Sequence, residues 1–297
     1  MSPQLRAFVP FVFAWLWSTG FVSAKFGLPY AEPFTLLSLR HIFTIPIFAG
    51  IILVLGLGFG PRHAIPQQLL VGFFLHGLHL GGVFYAIKNG MPAGVSAIIV
   101  GLQPLLSFVL ARIFFQERLS KRQIFGLVLG FVGIAIVLGP DLASANIPWV
   151  GVFGSICGLV GLSVGTVMQK RMQFDMPLAT GGMWQFVGAL AALGLLSLLT
   201  ETQDVEFVWR FSATIAWLVL GISVTAMLLL TLMIREGAVS EVAAYFYLVT
   251  PLAVFQAWLF FGEYLSILAI LGAVLTVFGV YLATSRSDLS DRASGSQ

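Results

Sequence analysis

The chain reads as a succession of apolar runs, each about as long as one bilayer crossing and separated from the next by a few polar residues. Between charged or Pro/Gly breaks the runs cover 7–26, 34–57, 67–87, 91–115, 122–139, 147–169, 177–199, 211–234, 238–261 and 265–284. A helix needs about 20 apolar residues to cross the hydrocarbon core, and a helix that is apolar all round must be hidden by lipid or by its neighbours. The expected fold is therefore an all-α integral membrane protein of ten transmembrane helices. Charged residues are only 9% of the 297, against about 25% in a soluble domain, which excludes a water-soluble protein.

The net charge of +3 does not point to nucleic acid, because the basic residues sit singly at the ends of the runs. Positive-inside topology accounts for them. With the N-terminus in the cytoplasm, the inner ends hold Arg6, Arg62, Arg118, Lys121, Arg122, Lys170, Arg171, Arg235, Arg286 and Arg292, and the outer ends hold Lys25, Lys88 and Arg210. Both termini are expected in the cytoplasm, with 286–297 a polar, disordered tail. Val22-Ser23-Ala24 resembles a signal-peptidase site, but cleavage there would remove a span that the repeat below requires. A single cysteine, Cys157, excludes an internal disulfide and any cysteine-based metal site.

Internal similarity constrains the organisation further. Phe114-Phe115-Gln116-Glu117-Arg118-Leu119-Ser120 recurs 146 residues on as Phe260-Phe261-Gly262-Glu263-Tyr264-Leu265-Ser266, and Ile124, Gly126, Val128, Leu129 and Gly133 match Ile270, Gly272, Val274, Leu275 and Gly279. One residue further apart, Gly90 aligns with Gly237 and Pro104 with Pro251. The repeat holds five spans, an odd number, so the second copy is expected upside down in the membrane. The segments are 1–140 and 147–285. The basic residues after Glu117 have no counterpart after Glu263, as an inverted second copy requires. Inverted repeats are an architecture of secondary transporters, with the substrate site between the halves near the membrane midplane.

The stretch from Pro104 to Gly126, with its weaker echo from Pro251 to Gly272, resembles the EamA-like ten-helix members of the drug/metabolite transporter superfamily. The resemblance covers essentially the whole chain. It implies an inner-membrane carrier, commonly an exporter of amino acids or other small metabolites, with helices one, three, four, six, eight and nine around a central cavity. The second copy departs from the pattern in lacking a basic residue after its glutamate.

Candidate functional residues are polar groups that lipid would not tolerate. His76 and His79 share a helix face and suit substrate hydrogen bonding or, for His79, a coupled proton. Arg40 lies some seven residues inside its span, at a cost of about 2.5 to 3.5 kcal/mol unless paired. It either holds a substrate carboxylate or reaches the outer interface or Glu32. Trp15 and Trp17 point to opposite sides of one helix, and Trp17 with Ser18 is the expected cavity pair. Gln103, Ser163, Tyr245 and Tyr247 are neutral groups able to orient a ligand or to bond neighbouring helices. Pro104 and Pro251 each remove a helix hydrogen bond and are expected to kink their spans for gating. Glu241 is the acidic candidate for proton coupling, or else stabilises a helix N-terminus.

No nucleotide-binding Gly-rich loop with Lys exists in the chain, so a primary pump is excluded. The function expected is a secondary transporter exporting a small organic metabolite, a zwitterionic amino acid fitting the mix of aromatic, neutral and cationic groups. It requires no cofactor. A membrane-embedded enzyme using His76 and His79, and a passive channel, are the alternatives.

Overall fold

The computed structural model describes residues 3–116, 120–144, 148–172, 176–236, 239–262 and 267–284. The predicted tail at 286–297 and the Glu263 to Ser266 half of the repeated motif lie outside these residues. The elements are helices: α1 (Pro3–Gly27), α2 (Pro33–Val54), α3 (contiguous stretches Ile65–Gly72, Phe73–Leu78 and His79–Lys88), α4 (Ala93–Val100 and Gln103–Phe115), α5 (Lys121–Ser144), α6 (Trp149–Arg171), α7 (Leu178–Thr200), α8 (contiguous Trp209–Trp217, Leu218–Ala226 and Met227–Glu236), α9 (Val239–Phe261) and α10 (Ile267–Thr284). Among the described residues the only strand-like pairing is an isolated bridge between Ala31 and Val205. Among the described residues, five helices are long and apolar enough to cross a membrane: α2, α3, α6, α7 and α8. Shorter apolar helices cover Gln103–Phe115, Tyr245–Phe261 and Ile270–Ala283.

The repeated F-F-x-E-x-L-S motif has a local physical cause. Its third residue ends a helix in the left-handed region, Gln116 at φ 55° and Gly262 at φ 64°. The Gln116 amide reaches the Arg112 carbonyl at 3.1 Å, and the Gly262 amide reaches the Trp258 carbonyl at 3.0 Å. Glycine adopts that conformation without steric cost, and an amide bonding four residues back satisfies one orphan carbonyl. The motif's serine then starts the next helix. Ser120 N–H donates to Gln123 Oε1 at 3.0 Å while Gln123 N–H donates to Ser120 Oγ at 3.2 Å, a reciprocal N-terminal cap.

Pro104 sits at the start of the second piece of α4, after a break at Gly101 and Leu102. Pro251, its repeat counterpart, lies inside α9 without interrupting it. Two stretches of π-helix, 73–78 in α3 and 218–226 in α8, occupy matching places 146 residues apart. Neither was anticipated, since a single inserted residue in a wholly apolar helix leaves no trace in the hydrophobic pattern.

Helices equivalent by the repeat pack against each other. Glu201, just after α7, accepts hydrogen bonds from the Phe34 and Thr35 amides at the start of α2, at 2.8 and 2.6 Å. At the other end, Thr180 and Trp184 of α7 donate to the Gly58 and Phe59 carbonyls beyond α2. So α2 and α7 run antiparallel along their length. The helices α5 and α10 do the same through glycines, which let backbones touch. A Cβ added to Gly126 would stand 2.6 Å from the Gly279 carbonyl oxygen, and one added to Gly133 2.7 Å from that of Gly272. The pair 126 with 279 becomes 272 with 133 when the repeat offset is applied.

The polarity is that of a protein dissolved in lipid. Large apolar side chains such as Leu53, Val54, Leu198, Leu199 and Val274 face outward, whereas Arg40, His41, His76, His79, Gln103 and Gln185 are buried. Water is absent from a bilayer core, so polar groups must be satisfied within the bundle.

Candidate functional site: a buried cationic cavity

A cavity of about 30 Å³ lies between α1, α2, α3 and α8, lined by Trp17, Phe21, Arg40, His76, His79 and Ile222 among others. As the side chains stand it is a narrow cleft, with room for water but not for an amino acid. Arg40 is the charge in it. It is 3% exposed and donates from Nε to Ser223 Oγ at 2.7 Å. The acceptor lies in the π-helical stretch of α8, so the extra backbone residue helps present a hydroxyl to the opposite half of the chain. No carboxylate among the described residues comes within ion-pair distance of the Arg40 guanidinium. Glu32, a sequence-level candidate partner, instead accepts from Thr202 N–H at 2.7 Å and from its hydroxyl. Arg40 therefore points inward, not out to the interface.

His79 donates from Nδ1 to the Gly158 carbonyl of α6 at 3.0 Å. A carbonyl only accepts, so the proton belongs on Nδ1 and Nε2 is left as an acceptor on a ring that lines the cavity. Trp17 stacks on that ring, with centroids 6.2 Å apart and planes 12° from parallel. The approach of α6 that makes this possible depends on Gly161, where a Cβ would meet the His79 amide nitrogen at 2.6 Å.

His76 stacks on Phe186 of α7 at 4.7 Å, and its Nε2 has no hydrogen-bond partner. His41 completes this group, edge-on to His76 at 6.3 Å, fully buried, with neither ring nitrogen bonded. No group of three metal-ligating side chains assembles among the described residues.

This arrangement of a buried guanidinium, an acceptor nitrogen and an aromatic wall between helices suits binding of a small polar molecule. The sequence model of the EamA-like transporter family matches residues 6–139 and again 149–285, one copy over each half. The chain belongs to the EamA-like transporter family. A protein of Salmonella typhimurium named a probable amino-acid metabolite efflux pump is 25% identical over 279 residues, covering 90% of each chain. An Escherichia coli protein of the same name is 26% identical over 159 residues, 53% of this chain and 50% of its own. The Bacillus subtilis transporter YvbV is 22% identical, covering 92% of this chain and 89% of its own. A crystal structure at 20% identity superposes with a TM-score of 0.78 over 99% of this chain and 100% of the other, and so has the same fold. This EamA-like protein is a membrane transporter and not an enzyme.

Within the transporter, Trp17, Arg40, His76 and His79 come together at the cavity. Trp15 is 43% exposed on the other side of α1. Ser18 does not reach the cavity: its hydroxyl donates to the Trp15 carbonyl at 2.8 Å and accepts from Gln256 of α9 at 2.9 Å. Tyr247 also turns away, against Gly130 of α5, with its hydroxyl 3.3 Å from the Leu127 carbonyl. Tyr245 lies edge-on to Phe11 on the α1 side. Gln103 donates to Ser107 at 2.8 Å, one turn along its own helix. Ser163 is buried on α6 with its hydroxyl unpartnered. Glu241 falls in the first turn of α9, and its side chain lies outside the described ones.

The lining also departs from the expected helix set. Helix α2 supplies Arg40, whereas α4, α6 and α9 contribute no lining residue to this cavity. Sequence reasoning missed Ser223 altogether. Its only signal is a four-residue spacing, Ser223, Met227, Thr231 and Arg235, which draws a stripe along an otherwise apolar helix.

Proposed function

We propose that this chain is a secondary carrier of the inner membrane, with ten transmembrane helices in two inverted five-helix repeats over 1–140 and 147–285 and both termini in the cytoplasm. It exports amino acids or related zwitterionic metabolites by alternating access. The inversion is supported by direction: α2 and its counterpart α7 run antiparallel, and so do α5 and α10. The export of amino acids is supported by the names of the Salmonella and Escherichia coli relatives, both probable amino-acid metabolite efflux pumps.

The observation that carries the substrate reading is Arg40, a buried guanidinium with a neutral hydroxyl as its partner, beside a cavity. A charge in this position is costly without an anion, and a guanidinium matches a carboxylate with two parallel hydrogen bonds. The substrate carboxylate takes that place. Its amino group faces the His79 Nε2 lone pair, and Trp17 packs against its apolar part. The same lone pair can take a proton instead, so proton and substrate exclude each other on His79, which is what antiport requires. His76 closes the side of the cavity toward α7. Glu241 stays a second candidate for the coupled proton. Pro104 and Pro251 are the proposed points of bending when the narrow cleft opens to admit substrate.

Counterflow in proteoliposomes tests this, using vesicles preloaded with single amino acids and traces of the same labelled compound outside. Saturable exchange, lost in Arg40→Gln and in His79→Ala, is the expected result. Flux that does not saturate marks a channel, and no exchange with any amino acid overturns the substrate class.

A further inference from the structure

The cavity beside Arg40 measures about 30 Å³, which is roughly one water molecule's share of the liquid. An amino acid enters it only once the helices part, so in the closed arrangement the guanidinium is left with a space for something much smaller. Its one neutral partner is Ser223, whose Oγ lies 2.7 Å from Nε, and no carboxylate among the described residues reaches it. Buried charges are stable when paired or held by an ion, and bulk water does not stand in for the partner inside a bilayer.

Donors surround this space. Ser223 accepts from Arg40, so its own hydroxyl proton remains to be given, and no described residue takes it. Trp17 lines the cavity, and its indole N–H donates to no described residue. The Nε2 of His79 is an acceptor until it takes a proton, and then it is a donor carrying a second positive charge. The charged and titratable groups that face one another here are Arg40 and His41 of α2 with His76 and His79 of α3. The other two lining helices, α1 and α8, bring none to the cavity wall.

We infer that Arg40 binds a chloride ion in this cavity whenever substrate is absent, and that chloride is exchanged for the substrate. The binding stands on the geometry above, and its place in the cycle rests on the carrier reading. Chloride is little larger than water, balances one positive charge and accepts hydrogen bonds from any direction, so it needs no partner shaped like a fork. It and a carboxylate exclude each other on Arg40. Charge bookkeeping favours the exchange. With a zwitterion bound, the site carries the single charge of Arg40. With a proton on His79 it would carry two, and chloride brings it back to one. A zwitterion moving out against a proton and a chloride moving in transfers no net charge.

The test uses full-length protein in detergent and labelled chloride, with gluconate making up a constant ionic strength. The expected result is one saturable site per chain, competed by bromide and not by sulfate, which is too large for the cavity. Arg40→Met keeps a long side chain, removes the charge and abolishes the site. If that variant does not fold, the melting temperature of the parent decides, rising saturably as chloride replaces gluconate. Binding that does not saturate, binding that survives Arg40→Met, or a melting temperature indifferent to the anion overturns the inference. In proteoliposomes, efflux of a preloaded amino acid is expected to slow severalfold when external chloride is replaced by gluconate, and an unchanged rate overturns the exchange. If no amino acid displaces the label or is transported while chloride still binds at Arg40, the amino-acid reading falls and the chloride site stands.

Discussion

Thr250 of α9 donates its hydroxyl to the Ala97 carbonyl of α4 at 3.3 Å, and the same carbonyl receives the Gly101 amide at 2.8 Å where α4 breaks. The donor immediately precedes Pro251, and the break at Gly101 and Leu102 comes one residue, Gln103, before Pro104, its repeat counterpart. The two proline-bearing helices are thus joined at the places where each is weakest. Removing the hydroxyl in Thr250→Val leaves the carbonyl its amide partner, so folding weakens by only about 0.5 to 1.5 kcal/mol. A small drop in the detergent melting temperature, with faster turnover in counterflow as α4 is released, is the expected pair of readings. An unchanged turnover would remove Thr250 from the gating account.

Ser223 is the partner of the buried charge. Ser223→Ala leaves Arg40 Nε without an acceptor, a loss of about 1.5 to 3 kcal/mol for a bond to a charged group. Arg40→Lys keeps the charge but loses the planar fork. Substrate affinity in counterflow is expected to weaken more in the lysine variant than in the alanine variant, while thermal stability falls more in the alanine variant. The opposite order of affinities would make Arg40 a structural tie.

Close backbone contact between α5 and α10 depends on glycine. In Gly126→Ala the new methyl stands 2.6 Å from the Gly279 oxygen and the Ala283 nitrogen, and the helices must part. Backbone atoms cannot yield as a flexible side chain would, so destabilisation of about 1 to 3 kcal/mol follows. Gly50→Ala is the control. Nothing lies within 4 Å of its added Cβ, and helix propensity alone predicts a gain of up to about 1 kcal/mol. Melting curves of the two variants should move in opposite directions.

His41 buries two ring nitrogens that bond to nothing. Replacing an unpaired buried polar group by an apolar one of similar size is neutral or stabilising. His41→Leu is therefore expected to hold or raise the melting temperature. If it also abolishes exchange, His41 serves transport at the expense of stability, and a lowered melting temperature would show that it is held by packing on Phe186.

The helix boundaries were legible in the chain because each depends on nearby residues. Apolar runs set the spans, and the left-handed caps at Gln116 and Gly262 with the Ser120 cap set where they stop. The internal similarity was legible for the same reason, since equivalent glycines and prolines are read along one line, and the family matches once over each half. Arg40, His76, His79 and Trp17 stood out because a polar or large aromatic group in an apolar run needs a partner. Only the tertiary structure decided which partners those are. The π-helical stretch of α8 holds Ser223 against Arg40, Gly158 of α6 fixes the His79 proton, and α5 claims Tyr247 that the sequence offered to the cavity. An all-apolar helix hides its own facing, because lipid and protein interior are equally apolar and the hydrophobic pattern cannot tell them apart. Which side of each helix meets the cavity is set by contacts between residues 183 and 238 positions apart, such as Arg40 with Ser223 and Ser18 with Gln256, and no local pattern encodes them.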